Sequence, residues 1–177
     1  MRRWLDRIFL AAGAVGAGFI VLICALMIAQ SVMREFGLRT GAINDVVAWC
    51  CAAAAFFSMA HAFKHGDFVR VTLLLDALPA GARRTLEILS LLVGTLAVGY
   101  LAWWACLFTY ESWEFNDIAQ GLLPIPLWIP QLSFAIGSVL LWLALVDELF
   151  LVLGGGVPSY VREVQERHAR GDFSAEV

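Results

Sequence analysis

The sequence predicts an all-α integral membrane protein with four transmembrane helices, both termini cytoplasmic, and a short interfacial helix between helices 2 and 3. Ile8–Met33, Ile88–Tyr110 and Ile118–Val146 contain no Asp, Glu, Lys, Arg or His, and Val46–Phe63 contains only His61. Roughly 20 such residues cross the hydrocarbon core as a helix. Backbone amides find no water in that core, so a span is either a helix or part of a closed barrel. Continuous apolar runs exclude the alternating strands of a barrel. Composition agrees: 61% hydrophobic residues, 15% charged residues and a mean hydropathy of +0.79 leave too little polar surface to coat a soluble globule of this size.

Orientation follows from Lys and Arg, which collect in short cytoplasmic loops. Ten of the twelve lie in the N-terminal segment (Arg2, Arg3, Arg7), the second connection (Lys64, Arg70, Arg83, Arg84) and the tail (Arg162, Arg167, Arg170). The first connection holds Arg34 and Arg39, and the third holds none. Both termini are therefore expected inside, as an even number of crossings requires.

The elements follow in order within one membrane domain, 1–177. The first span is expected over 8–30. Its apolar run is too long for a secretion signal and lacks a small-x-small cleavage pattern, so it is expected to be retained. Gly13, Gly16 and Gly18 give it small residues at four-residue spacing, which suits close contact with another helix of the chain or of a partner. The second span is expected over 45–64, opening at Asn44 or Asp45. Either side chain would cap free amides, and Asp45 would also complement the positive end of the helix. Residues 68–78 mix apolar residues with Arg70 and Asp76 and are too short to span, which suggests a helix lying at the cytoplasmic lipid surface.

The third span is expected over 85–110. Trp103 and Trp104 near its end, with Trp113 and Trp128 flanking the outer loop, suit the headgroup layer as interfacial anchors. The fourth span is expected over 127–153, approached through Pro124, Pro126 and Pro130, which fit a helix entry but not its interior. Asp147 and Glu148 mark its inner boundary. Gly154–Gly156 and Pro158 end it, and the charged tail, 157–177, is expected to be cytoplasmic and loosely ordered.

Little in the sequence supports chemistry. His61 and His65 share a helical face and could present two nitrogens to a metal or haem, but Asp67 and His168 do not complete a ligand set. His61 is expected to bond within the bundle and His65 to face the inner headgroups. Cys24, Cys50, Cys51 and Cys106 all fall inside expected helices, with no Cys-x-x-Cys, which suits apolar filling rather than thiol redox work. No phosphate-binding loop, nucleophile elbow or intramembrane carboxylate pair is present. A carrier places polar groups or interrupted helices near the midplane. That region is bare here, so no catalytic, cofactor or metal site is expected, and the chain reads as a supporting subunit.

Three features together resemble the small permease subunit, DctQ type, of tripartite ATP-independent periplasmic (TRAP) transporters. They are Asp45 opening helix 2; Lys64-His65-Gly66-Asp67-Phe68-Val69-Arg70-Val71 with Leu73–Leu75 and Leu78-Pro79; and Leu123-Pro124-Ile125-Pro126-Leu127-Trp128-Ile129-Pro130 running through Ile136-Gly137 into helix 4. The chain departs from the family pattern at Phe68, usually His, at Ser58, often Gly, and at Ala135, often Pro. The resemblance implies a multi-pass protein of the bacterial inner membrane. It would brace a large permease subunit that takes up an organic acid with sodium ions, the acid being delivered by a periplasmic binding protein. Glu111, Glu114 and Asp117 in the outer loop, with no basic residue beside them, would then offer an electrostatic docking patch for that binding protein. The competing readings are a haem-binding anchor of a redox complex, using His61 and His65, and a stand-alone small channel or carrier.

Overall fold

A computed structural model describes residues 2–66 and 79–169. The expected interfacial segment, 68–78, lies outside the described residues. The five helices of the described residues are α1 (Arg2–Glu35), α2 (Gly41–His65), α3 (Ala80–Glu114), α4 (Trp128–Leu153) and α5 (Ser159–Ala169). The first four are long and apolar enough to cross a membrane. Among the described residues there is no strand, only an isolated antiparallel bridge between Ile118 and Pro126 in the α3–α4 connection. α1 and α3, with 34 and 35 residues, rise about 50 Å at 1.5 Å per residue, well beyond the ~30 Å hydrocarbon core. Both therefore project from the bilayer or tilt within it.

The helix ends have local causes. α2 closes on Gly66, whose φ of +77° is left-handed. α4 begins with Pro130 in its first turn, where a missing N–H costs nothing, and ends at Gly154 with Gly155 at φ +83°. The start of α2 differs from expectation. It opens at Gly41 after Thr40, not at Asn44 or Asp45, because both side chains serve tertiary contacts instead. Gln30 Nε2 donates to Asn44 Oδ1 at 2.8 Å, and the Leu122 N–H donates to Asp45 Oδ2 at 2.9 Å.

The helices pack as an open row in the order α1, α2, α4, α3, with no extended contact between α1 and α3 to close it into a ring. At one end α1 and α3 begin and α2 and α4 finish; Lys and Arg are concentrated there, and we call it the basic end. The other is the acidic end. The core is made largely of small residues, including Ala12, Ala53, Ala54, Ala60, Ala102, Ala105, Ala135 and Ala144. Association in lipid gains little from burying grease, so close backbone approach and dispersion must hold the helices together. A close backbone approach between α2 and α4 is at Gly137, where a Cβ would lie 2.6 Å from the Phe56 carbonyl oxygen. Phe56 and Phe134 lock the same crossing edge to face, with ring centroids 4.7 Å apart. Gly13 meets His61 and Gly16 meets Ala54 and Ser58, so both face α2, whereas Gly18 has nothing within 4 Å.

The tail also departs from expectation. Residues Ser159–Ala169 form α5, with Tyr160 3% exposed in the core cluster beside Phe9, Phe63 and Leu91. The cause is tertiary: a socket at the basic end receives Tyr160 and a carboxylate receives the first amide of the helix.

Gly137→Ala should push α2 and α4 apart and destabilise the fold by about 1–3 kcal/mol, the usual cost of overpacking. Gly18→Ala, facing open space in the chain, should leave the midpoint unchanged or raise it slightly. Thermal unfolding in detergent, followed by tryptophan fluorescence, distinguishes the two.

Candidate functional site

Two polar assemblies punctuate the apolar row, one at each end. At the basic end, Lys64 on the last turn of α2 meets Asp147 and Glu148 on α4. Its Nζ donates to Asp147 Oδ2 and, at 2.7 Å, to Glu148 Oε1. The Glu148 side chain is fully buried, that of Lys64 is 7% exposed and that of Asp147 is 17% exposed. Charges taken out of water must be paired and hydrogen-bonded to persist. That condition is met from several elements. The ammonium lies 5.6 Å from the centroid of the Phe9 ring on α1, within cation–π range. Glu148 Oε2 accepts the Ser159 N–H at 2.9 Å, placing a carboxylate at the positive end of α5. Tyr160 then donates its hydroxyl to Glu87 Oε1 of α3 at 2.9 Å. All five helices are therefore linked around Lys64 and its two carboxylates.

This corrects one expectation. Asp147 and Glu148 do not merely mark a boundary; they are turned inward onto Lys64. His65 is half-buried, with its ring centroid 4.0 Å from that of His61 and its Nδ1 2.9 Å from the His61 carbonyl oxygen. The two imidazoles lie against each other on one side of one helix, whereas axial haem ligands approach iron from opposite faces. Among the described residues no group of three His, Cys, Asp or Glu side chains could hold a metal ion. Of the cysteines, Cys50 is buried, while Cys24, Cys51 and Cys106 are exposed on the helix surfaces.

The acidic end is a built loop. Asp117 donates its N–H to the Ser112 carbonyl at 3.0 Å and accepts from the Leu127 N–H at 2.8 Å, while the Ala119 N–H donates to the Ile125 carbonyl at 2.9 Å. Asp45 clamps the loop to α2 through Leu122, and a Cβ on Gly121 would collide with the Asp45 carboxylate. Glu111, Glu114 and Asp117 are all exposed on this fixed frame. Trp103, Trp104 and Trp113 are exposed and Trp128 is half-buried. Sequence reasoning missed the role of Asp45 as a loop clamp and the pairing of Lys64. The signal available for the latter was a lysine and two adjacent carboxylates, each at the end of an apolar run.

Four helices long and apolar enough to span, tied by a buried ionic knot, define a multi-pass helical membrane protein. A family model described as tripartite ATP-independent periplasmic transporters, DctQ component, matches residues 23–155. The chain belongs to this family, whose members are small permease subunits of transporters and not enzymes, and it is a multi-pass protein of the inner membrane. A curated relative, the ectoine TRAP transporter small permease protein TeaB of Halomonas elongata, is 26% identical over 155 residues, spanning 85% of this chain and 68% of the relative.

Lys64→Leu should cost about 3–5 kcal/mol, because two carboxylates are left without their cation. Glu148→Gln should cost more than Asp147→Asn, since Glu148 is wholly buried and also holds α5. Unfolding midpoints in detergent, together with protease accessibility of the segment after Gly156, check the ranking; equal losses for the two carboxylates would contradict it.

Proposed function

We propose that this chain braces the large permease subunit of a TRAP transporter, widening its stationary scaffold while a mobile domain carries an organic acid inward with sodium ions. A periplasmic binding protein delivers the acid. In this reading both termini are cytoplasmic and the basic end faces the cytoplasm. The observation that carries the proposal is the open row. Only 17% of the most apolar stretch is buried in α1 and in α3, and no more than 33% in α4. So much apolar flank with no transport path through it suits a flat partner surface in lipid. The ionic knot at the basic end supports the same role, since a brace must resist sliding of its own helices.

The acidic end suits recruitment. Glu111, Glu114 and Asp117 on a rigid loop, free of Lys and Arg, would steer a basic patch of the binding protein to the transporter.

The direct test is affinity purification from native membranes followed by reconstitution. A large multi-helix permease should co-purify in equal amount, with sodium-driven uptake only when both subunits and the binding protein are present. Flux through this chain alone would sink the brace. For the loop, Glu111→Lys, Glu114→Lys and Asp117→Lys together should lower uptake several-fold at low salt, with the defect shrinking as salt screens the charges. Uptake unchanged at both salts would remove the docking role.

A further inference from the structure

The row divides into two hairpins, α1 with α2 and α3 with α4, and the pairs within each pack more extensively than the α2–α4 seam between them. Gly137 meets Phe56 on that seam, and Lys64 meets its two carboxylates there. Contacts on the seam fix the height of one hairpin against the other but have little leverage against turning about it. At the acidic end the turn is opposed by Asp45, which holds Leu122 of the α3–α4 loop. At the basic end α5 opposes it. The Ser159 N–H binds Glu148 of α4, the Tyr160 ring lies 5.9 Å from that of Phe63 on α2, and the Tyr160 hydroxyl reaches Glu87 of α3. Tyr160 also belongs to the core cluster that holds Phe9 of α1. One side chain thus gathers α1, α2 and α3, although neither α1 nor α2 packs extensively on α3.

The same element is built to release. It follows Gly154–Gly156, with Gly155 at φ +83°, and packs chiefly on α2. Among its described side chains only Tyr160 is buried, whereas Arg162 and Ala169 are exposed. An element with few buried apolar contacts opens at a lower free energy than the core it rests on. We infer that α5 is a releasable strap that sets the angle between the two hairpins. Docked, it holds α1, α2 and α3 around Tyr160; released, it lets the hairpins turn about the α2–α4 seam while the four long helices stay folded. The inference rests on contacts within the chain, not on the brace or on any partner.

The test uses the full chain in nanodiscs, with the exposed Cys24, Cys51 and Cys106 replaced by alanine. Spin labels go on Asp6→Cys in α1 and Ala82→Cys in α3, both exposed at the basic end. Pulsed dipolar spectroscopy should give one narrow distance distribution while the strap is docked. Tyr160→Ala should broaden that distribution several-fold and move its centre by several ångströms, with helix content by circular dichroism lowered by no more than α5. Arg162→Ala, on the exposed side of α5, should leave it narrow. Hydrogen exchange on the unlabelled chain supplies a second measure. Amides of residues 163–169 should exchange several-fold faster than those of α2 around Ala60. Tyr160→Phe, which keeps the ring and loses the bond to Glu87, should quicken them several-fold more and leave α2 unchanged. Should Tyr160→Ala fail to fold, the exchange of Tyr160→Phe decides. A distribution unmoved by Tyr160→Ala, α5 amides that exchange no faster than the core of α2, or no quickening in Tyr160→Phe would each overturn the assignment.

Discussion

One lysine shared by two carboxylates governs how this chain holds together. Lys64 ends α2, Asp147 and Glu148 lie near the end of α4, and their pairing ties the two inner members of the row at a fixed height. A charge in a low-dielectric interior is tolerated only with its partner, so any sliding of α2 against α4 would expose an uncompensated ion. The knot also propagates. Through Ser159 and Tyr160 it recruits α5, and through Glu87 and the ring of Phe9 it reaches the two flanking helices. The hydrophobic core cluster of Phe9, Ala60, Phe63, Leu91, Ala144, Leu145, Val152 and Tyr160 gathers around this point, so polar and apolar packing reinforce one another.

Away from the knot the fold relies on thinness. Alanines and glycines at the crossings let backbones approach until dispersion replaces the hydrophobic force that lipid withholds. The result is a row, and a row has two broad flanks that a closed bundle would lack. Those flanks carry Leu, Ile, Val, Phe and Trp side chains that are content in lipid and equally able to meet a larger apolar protein. Stiffness at the basic end and breadth along the spans suit the proposed bracing role. The acidic end adds a third element: a loop pinned by Asp45 and a short antiparallel bridge, presenting exposed carboxylates.

Much of this was legible in the residues. Span number and helical character are consequences of local hydropathy and of the rule that backbone amides in lipid must bond within their own segment. The Gly154–Gly156 run announced the end of α4, where Gly155 takes a left-handed φ of +83° that costs glycine little. The family, too, could be recognised from the run around Lys64 and the proline-rich entry to α4. Asp45 was seen as important for the wrong reason: capping is a local property, and a carboxylate near a helix start suggests it, yet its partner is an amide 77 residues away.

The sequence by itself determined that four helices cross a membrane and that the family is a small permease, because both depend on runs of adjacent residues. Only the tertiary structure decided that the helices line up as α1, α2, α4, α3, that Gly13 and Gly16 meet α2 while Gly18 looks outward, and that a charged tail becomes a docked helix. Each of those outcomes turns on how one helix is rotated against another, a quantity fixed by packing between distant segments and invisible to any local window.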